Sequence, residues 1–145
     1  MKKTITLISF ILITLCATAQ EALVGRWTTI DDKTGEARSV VRIYKATDGL
    51  YYGKIEVLYV PEKYQNVVCE KCKGNDKDKP ILGMVILRGM KADGNTLFGG
   101  SLLDPESGNF YHGKISLEKD GRLKLRGSID KAGLLGRTQY WKRAQ

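Results

Sequence analysis

The chain has 145 residues and a formal net charge of +8, from 24 lysines and arginines against 16 acidic residues. This length suits one domain with a packed core and argues against two. Beyond the first apolar run, no apolar segment is long enough to span a membrane as a helix, so we expect the rest of the chain to be soluble.

The first residues have the three parts of a secretory signal peptide. Lys2 and Lys3 precede an apolar run from Ile5 to Cys16, and Ala17–Ala19 supplies a small-x-small cleavage pattern. We therefore predict that residues 1–19 are removed. Residues 20–145 then form a single domain that is exported, either to the periplasm or out of the cell.

An exported location limits the anionic partners that a positively charged protein can meet. An exported protein rarely meets nucleic acid, so we expect no nucleic-acid partner and consider peripheral contact with an anionic envelope surface instead. A lipidated Cys16 is the alternative to plain cleavage, although the bulky Leu15 before it does not suit a lipidation signal.

The predicted elements of the exported part are strands. Apolar and polar residues alternate, as in Arg122–Ile129, and Asp-Gly pairs mark tight turns at Gly49, Gly94 and Gly121. These patterns predict about eight strands, near residues 24–30, 36–46, 50–60, 81–91, 96–103, 109–118, 122–129 and 136–143. Short strands joined in sequence by tight turns predict an all-β fold, an antiparallel up-and-down barrel without open edges.

Glycines recur on the apolar face of three predicted strands. Gly53, Gly113 and Gly127 share strand parity with apolar neighbours, as Gly53 does with Ile55. A glycine inside a strand marks a bend or a close approach, and inward glycines help strongly coiled strands to close a small barrel. The alternative is that these glycines leave room inside the barrel for a ligand.

A barrel of eight strands has an interior that side chains can fill or that can hold one small ligand. Aromatic residues and inward glycines are the candidates for lining such a site, namely Tyr51, Gly53, Tyr59, Phe98, Tyr111, Gly113 and Gly127. The same residues would also serve an ordinary packed core, so both interpretations stay open.

Residues 80–90 differ from the other predicted strands because both faces are apolar. Val85 and Leu87 lie on one face, and Met84 and Ile86 lie on the other. A strand that is apolar on both faces needs a cover outside the barrel. A folded-back loop, a terminus or a second subunit would serve, so a homodimer through residues 80–90 is one expectation.

A long loop before residue 80 contains two cysteines, Cys69 and Cys72. In an oxidising compartment, two thiols this close should form a disulfide. The alternatives are a redox-active pair, with thiolates favoured by Lys71 and Lys73, and a zinc site. Zinc needs four ligands, and the one histidine, His112, does not complete a convincing set. We therefore expect neither a metal nor a cofactor.

The two ends of the exported part resemble the calycin superfamily, which includes the lipocalins. A Gly-x-Trp motif at Gly25 and Trp27 opens the first strand, and the last strand contains Trp141 and ends in Arg143. The resemblance implies that these residues close the barrel. It also implies that Arg143, or Arg137, stacks on the Trp27 indole as a cation–π pair.

The whole exported part is similar to the bacterial domain-of-unknown-function family 2147, a set of small exported proteins. The similarity rests on motifs within residues 25–27, 80–87, 99–108, 123–127 and 135–143. It implies a calycin-like barrel and an exported location, and it implies no activity, because none is assigned to the family. One departure is the Cys69–Cys72 segment, where many relatives carry an Asn-Pro-Asp type segment.

The sequence favours binding over catalysis, since no Ser-His-Asp set or pair of catalytic carboxylates can be argued from it. Our first hypothesis is a small apolar or amphipathic ligand held in the barrel mouth. One alternative is an envelope interaction module that uses residues 80–90 and the outward stripe Arg122, Lys124 and Arg126. The other is a thiol redox protein that uses the two loop cysteines.

Overall fold

The computed structural model describes residues 19–145, which form eight antiparallel strands closed into a barrel. The strands are β1 (Gly25–Ile30), β2 (Ala37–Lys45), β3 (Tyr51–Leu58), β4 (Val85–Asp93), β5 (Thr96–Asp104), β6 (Asn109–Leu117), β7 (Leu123–Ser128) and β8 (Gly136–Arg143). Each strand pairs with its neighbours in sequence, and β8 pairs with β1 to close the ring. This arrangement confirms the predicted antiparallel up-and-down barrel.

Helical structure in the barrel's connections is limited to short turns. Two 3₁₀ turns, Glu62–Tyr64 and Gly74–Asp76, lie in the long connection between β3 and β4. Within residues 19–145, no helix is long and apolar enough to cross a membrane. The predicted signal peptide, except for residue 19, and the candidate lipidation site Cys16 lie outside the described residues.

Most strand boundaries agree with the predicted ones to within two residues, and β4 is the exception. The pattern predicted a strand at residues 81–91, whereas β4 begins at Val85 and ends at Asp93. Gly83 has a φ of +88°, and the amide of Met84 donates to the carbonyl of Ile81 at 3.1 Å. These residues therefore form a turn, and Ile81 and Met84 are apolar because they pack against the core.

The barrel closes through a short contact between its first and last strands. β1 and β8 pair only at Trp27 with Arg143 and at Thr28 with Lys142, whereas β7 pairs with β8 along its entire length. We call this short β1–β8 contact the seam.

The hydrophobic core fills the end of the barrel where β1 begins and β8 ends. Leu23, Trp27, Leu97, Ile115 and Leu123 are all fully buried there. Inward-facing residues alternate with outward-facing ones along each strand of a closed barrel, so these side chains converge on the barrel axis. The opposite end is less completely filled.

The inward glycines do not all leave empty space. A Cβ atom at Gly53 would lie 2.6 Å from the Leu87 side chain, and one at Gly113 would lie 3.3 Å from the Leu102 side chain. Leu87 and Leu102 therefore occupy the space beside these two glycines. At Gly127 the nearest atom to a Cβ would be 3.6 Å away, an ordinary van der Waals contact.

Candidate functional site

One end of the barrel is open and leads into a cavity of about 580 Å³. It lies where the β1–β2, β3–β4, β5–β6 and β7–β8 connections join the strands, and we call this end the mouth. We call the opposite, filled end the floor. Small-molecule pockets usually measure about 300–1,000 Å³, so this cavity can hold one small ligand.

The walls of the cavity are mainly aliphatic. Inward-facing side chains from several strands form them, including Ile55, Leu58, Ile86, Leu102 and Leu125. Trp141 lies deepest along β8 and is almost fully buried. Apolar walls with a few polar groups are typical of a site for an apolar or amphipathic molecule.

Polar groups reach the cavity from β8 and β6. Arg137, Gln139 and Trp141 occupy alternate positions on β8, running from the mouth towards the floor. The Trp141 indole N–H donates to Oε1 of Gln139 at 3.3 Å. The Gln139 amide nitrogen and the Tyr111 hydroxyl make no hydrogen bond with another residue of the described chain, so both can donate to a bound molecule.

Two arginines at the mouth are held by carboxylates in different ways. Arg137 donates from two guanidinium nitrogens to Asp32, with an Nε–Oδ2 distance of 2.6 Å. This hydrogen bonding holds the pKa of the Asp32 carboxyl below its usual value. Arg38 of β2 donates to Glu106 of the β5–β6 connection at 2.6 Å. The Glu106 side chain is 77% exposed, so this pair, which crosses the mouth, is the more easily displaced.

Trp27 and Arg143 meet at the floor. The Arg143 guanidinium lies 3.9 Å from the centre of the Trp27 ring, and it donates to the carbonyls of Val24 and Ala22 at 2.9 and 2.5 Å. The Trp27 indole N–H donates to the Leu23 carbonyl at 2.9 Å. Partial loss of hydration lowers the pKa of Arg143, although the residue keeps contact with solvent, and a guanidinium stays charged at neutral pH. The segment before β1 is thus tied to the last strand.

Gly25 allows the floor contact to form. Its φ is +122°, and a Cβ atom there would lie 2.9 Å from Nη1 of Arg143. Of the two arginines proposed to stack on Trp27, the structure places Arg143 there and Arg137 at the mouth. Trp141 lies between these two levels, at the base of the cavity.

The structure corrects two of the candidate ligand-lining residues. Tyr59 is 51% exposed and Phe98 is 40% exposed, so neither lines the interior. Tyr59 lies just beyond the end of β3. Phe98 precedes Gly99, whose φ of +73° interrupts the alternation along β5. Phe98 therefore faces outward, opposite Lys91.

The remaining candidates divide between core and cavity. Tyr51 is buried near the floor, where its hydroxyl donates to Oε1 of Gln20 at 3.4 Å. Tyr111 and Gly127 line the cavity. The sequence interpretation missed Gln139, although its parity with Trp141 in β8 was a usable signal. It also missed Arg38, because its partner Glu106 is distant in sequence.

The connection between β3 and β4 folds back over the outside of the barrel. The Sγ atoms of Cys69 and Cys72 are 2.00 Å apart, so these residues form a disulfide. The Cys69 sulfur lies 3.3 Å from the Pro105 carbonyl oxygen, and this is a packing contact because a disulfide sulfur has no hydrogen to donate. The backbone at Lys71 also packs on Gly108, where any side chain would clash.

A second anchor holds this connection against β4. Arg88 donates to both carboxylate oxygens of Asp76 at 2.8 and 2.9 Å, which holds the pKa of Asp76 below its usual value. The Arg88 guanidinium also lies 5.3 Å from the Phe110 ring centre. The cover that residues 80–90 need is therefore supplied by the chain itself, and a homodimer through them stays a prediction.

The outward stripe of β7 is not one uniform positive surface. Arg122 pairs with Asp120 at 2.8 Å and lies 4.5 Å from the Tyr140 ring centre. Lys124 and Arg126 face a separate groove. His112 is exposed on β6, and within residues 19–145 no group of three or more His, Cys, Asp or Glu side chains could hold a metal ion.

Two comparisons with known proteins give matches. A family profile described as "Uncharacterized protein conserved in bacteria (DUF2147)" matches residues 25–143, which run from the start of β1 to the end of β8. Comparison with curated proteins finds no match.

Among solved structures, the chain is similar to one described as "Protein HP1028 from the human pathogen Helicobacter pylori belongs to the lipocalin family". The TM-score is 0.72 at 21% sequence identity, over 85% of this chain and 83% of that one. At this identity the likeness shows the fold alone, a lipocalin-like barrel. Because the family profile spans all eight strands, the chain belongs to the uncharacterised bacterial family DUF2147.

Proposed function

We propose that this barrel binds a small apolar or amphipathic molecule in its open cavity. The observation that carries the proposal is the cavity of about 580 Å³ with mainly aliphatic walls. Removing apolar ligand surface from water is favourable by roughly 25 cal/mol per Å². The walls are strands of a closed barrel, so little conformational freedom is lost when a ligand enters.

The polar groups of the cavity suggest how an amphipathic ligand would be oriented. Its apolar part would lie against Trp141 and Leu125, where the cavity is deepest. Its polar end would point to the mouth, within reach of the unpaired donors of Gln139 and Tyr111. A binding role also suits the proposed exported location, since an apolar molecule needs a carrier in an aqueous compartment.

A redox role for Cys69 and Cys72 has less support. Both residues belong to the folded-back connection and are at most 3% exposed. Redox-active cysteines need access for their thiol partners. The disulfide therefore serves better as a constraint on this connection than as a reactive group.

The cavity can be tested by filling it from Gly127. A Cβ atom fits at this position, 3.6 Å from Tyr111, so the rest of a leucine side chain would project into the cavity. The experiment measures binding of the apolar fluorescent probe 1-N-phenylnaphthylamine to residues 20–145 and to Gly127→Leu. We expect the filled variant to bind at least about tenfold more weakly, because it loses the apolar contacts of the site.

A matched control adds the same side chain outside the barrel. Lys142 is exposed on the outer face of β8, and Lys142→Leu should bind the probe as the unaltered protein does. Native mass spectrometry of protein purified from its own host would identify a co-purifying ligand. Unchanged probe binding by a folded Gly127→Leu variant would show that the cavity is not the site.

A further inference from the structure

A positively charged groove lies on the outer face of β6 and β7, separate from the cavity. The groove measures about 500 Å³ and includes the basic side chains of Lys114, Lys124, Arg126 and Lys131. Its other polar lining consists of hydroxyl groups and His112, and no carboxylate lines it. An anionic group in this groove would meet several cations and no like charge.

Arg126 is held in the groove by neutral acceptors alone. It donates to the carbonyls of Gly133 and Leu134, both at 2.9 Å, and to the Thr138 hydroxyl at 3.3 Å. Six other arginines of the described chain pair with carboxylates instead, namely Arg26, Arg38, Arg42, Arg88, Arg122 and Arg137. The Arg126 guanidinium is thus oriented but not neutralised within residues 19–145.

A second cation lies directly across the strands from Arg126. Lys114 of β6 is its register partner, and like charges in this position destabilise a sheet. Lys114, Lys124 and Lys131 form no ion pair with any carboxylate of the described chain. A bound oxyanion would relieve this repulsion and share its charge among the cations.

The connection between β7 and β8 borders this groove, and the tip of the β7–β8 hairpin is aliphatic and exposed. Ile129, Leu134 and Leu135 between β7 and β8 are 73%, 78% and 67% exposed. The Asp130 carboxylate accepts the backbone amides of Leu134 and Leu135 at 3.0 and 2.6 Å, which fixes the shape of the tip. Ile129 and Leu135 also border the mouth of the cavity.

We propose that this hairpin docks the barrel on an anionic membrane surface. The aliphatic tip would enter the interface, and the cations of the outer groove would contact the phosphoryl groups of lipid headgroups. Exposed apolar side chains next to lysine and arginine are what binding to anionic lipids requires. The positive charge of the groove therefore favours anionic lipid as the partner. Docking in this way would also bring the mouth of the cavity close to the lipid.

The test measures how residues 20–145 sediment with phosphatidylcholine vesicles, with and without phosphatidylglycerol. The protein should bind only the vesicles that contain phosphatidylglycerol, and added salt should release it. Lys114→Gln with Lys124→Gln should weaken binding roughly 30-fold, because each cation near the surface contributes about a fivefold factor. Leu134→Ser should weaken it about tenfold through the lost apolar contact.

The control removes the same charge from the opposite wall. Lys54 on β3 and Lys91 on β4 are exposed there, and Lys54→Gln with Lys91→Gln should leave vesicle binding nearly unchanged. An equal loss in this control would mean that net charge alone attracts the protein, and the proposal would fail. It would also fail if Leu134→Ser bound normally, or if the groove bound tripolyphosphate in solution while vesicles were ignored.

Vesicle binding and cavity binding can fail separately. The Lys114→Gln, Lys124→Gln variant should bind 1-N-phenylnaphthylamine like the unaltered protein, because neither lysine lines the cavity. This result would also show that the variant is folded. Loss of vesicle binding together with probe binding would point to misfolding, which Leu134→Ser, at an exposed loop position, should avoid.

Discussion

The floor and the mouth of the barrel are held by different kinds of interaction. At the floor, Trp27 is fully buried and Arg143 is bonded to backbone carbonyls. At the mouth, the cross-barrel contacts are exposed ion pairs such as Arg38–Glu106. Buried apolar contacts stabilise a fold far more than exposed ion pairs do. The floor therefore supplies most of the stability, whereas the exposed ion pairs at the mouth can be displaced at little cost.

The largest expected difference between the two ends comes from truncating an apolar side chain at each. Trp27→Ala should lower the free energy of unfolding by about 3–5 kcal/mol, since it leaves a cavity in a closely packed core. Leu135→Ala at the mouth should change it by less than about 0.5 kcal/mol, because Leu135 is 67% exposed. Urea unfolding measures both, and comparable losses would remove the distinction between floor and mouth.

The two arginines of β8 provide the next comparison. Arg143→Gln should lower the free energy of unfolding by about 2 kcal/mol, through the lost contact with Trp27 and two lost hydrogen bonds that are themselves solvent-exposed. Arg137→Gln removes an exposed pair with Asp32 and should lower the free energy of unfolding by at most about 1 kcal/mol. Thermal unfolding of both variants tests this order. The reverse order would show that the mouth, and not the seam, limits the stability of the barrel.

Removing the disulfide, which lies near the mouth, should lower the free energy of unfolding by an intermediate amount. Cys69→Ser with Cys72→Ser opens a short loop, and the chain-entropy model gives a loss of about 2 kcal/mol. The barrel should still bind 1-N-phenylnaphthylamine, because neither cysteine lines the cavity. Urea unfolding and probe titration test the two statements, and a loss of probe binding would assign the disulfide a role in the site.

The smallest expected effect is the pH dependence of the Asp76–Arg88 pair. The hydrogen bond from Arg88 lowers the folded-state pKa of Asp76 from its ordinary 3.8. The stabilisation is therefore complete above that ordinary value and is lost as the pH falls through the lowered pKa. Asp76→Asn should flatten the acid limb of an unfolding curve against pH in this range.

Other acids also titrate in that range, so the Asp76 experiment needs a matched variant. Glu62 is an exposed acid of the same connection and makes no ion pair within the described chain. Glu62→Gln should leave the slope of the acid limb as it is in the unaltered protein. A slope change as large as that of Asp76→Asn would mean that the Arg88 contact contributes little.

Local patterns in the sequence predicted most of the fold, because strand alternation and Asp-Gly turns are local signals. They predicted a wrong start for β4, since an apolar turn and an apolar strand have the same composition. Phe98 was misplaced for a related reason, because the positive φ of Gly99 shifts the parity of β5. Parity is reliable only where no residue interrupts the strand.

The candidate site was less predictable than the fold because it depends on distant pairs. Arg38 and Glu106 are 68 residues apart, and nothing in the sequence around either one identifies the other. The positive groove needed the register of β6 and β7, which places Lys114 opposite Arg126. By contrast, Gln139 could have been found by counting back two positions from Trp141.

The narrow seam between β1 and β8 also bears on how the barrel forms. All other pairings join strands that are neighbours in sequence, whereas the seam brings Arg143 to Val24 across 119 residues. Closing so long a segment has a high entropic cost, so we expect the seam to form last. Until it does, β1 and β8 offer unpaired edges to other chains. The contact between Trp27 and Arg143 holds the seam closed, so we expect variants that weaken it to aggregate more and to refold in lower yield.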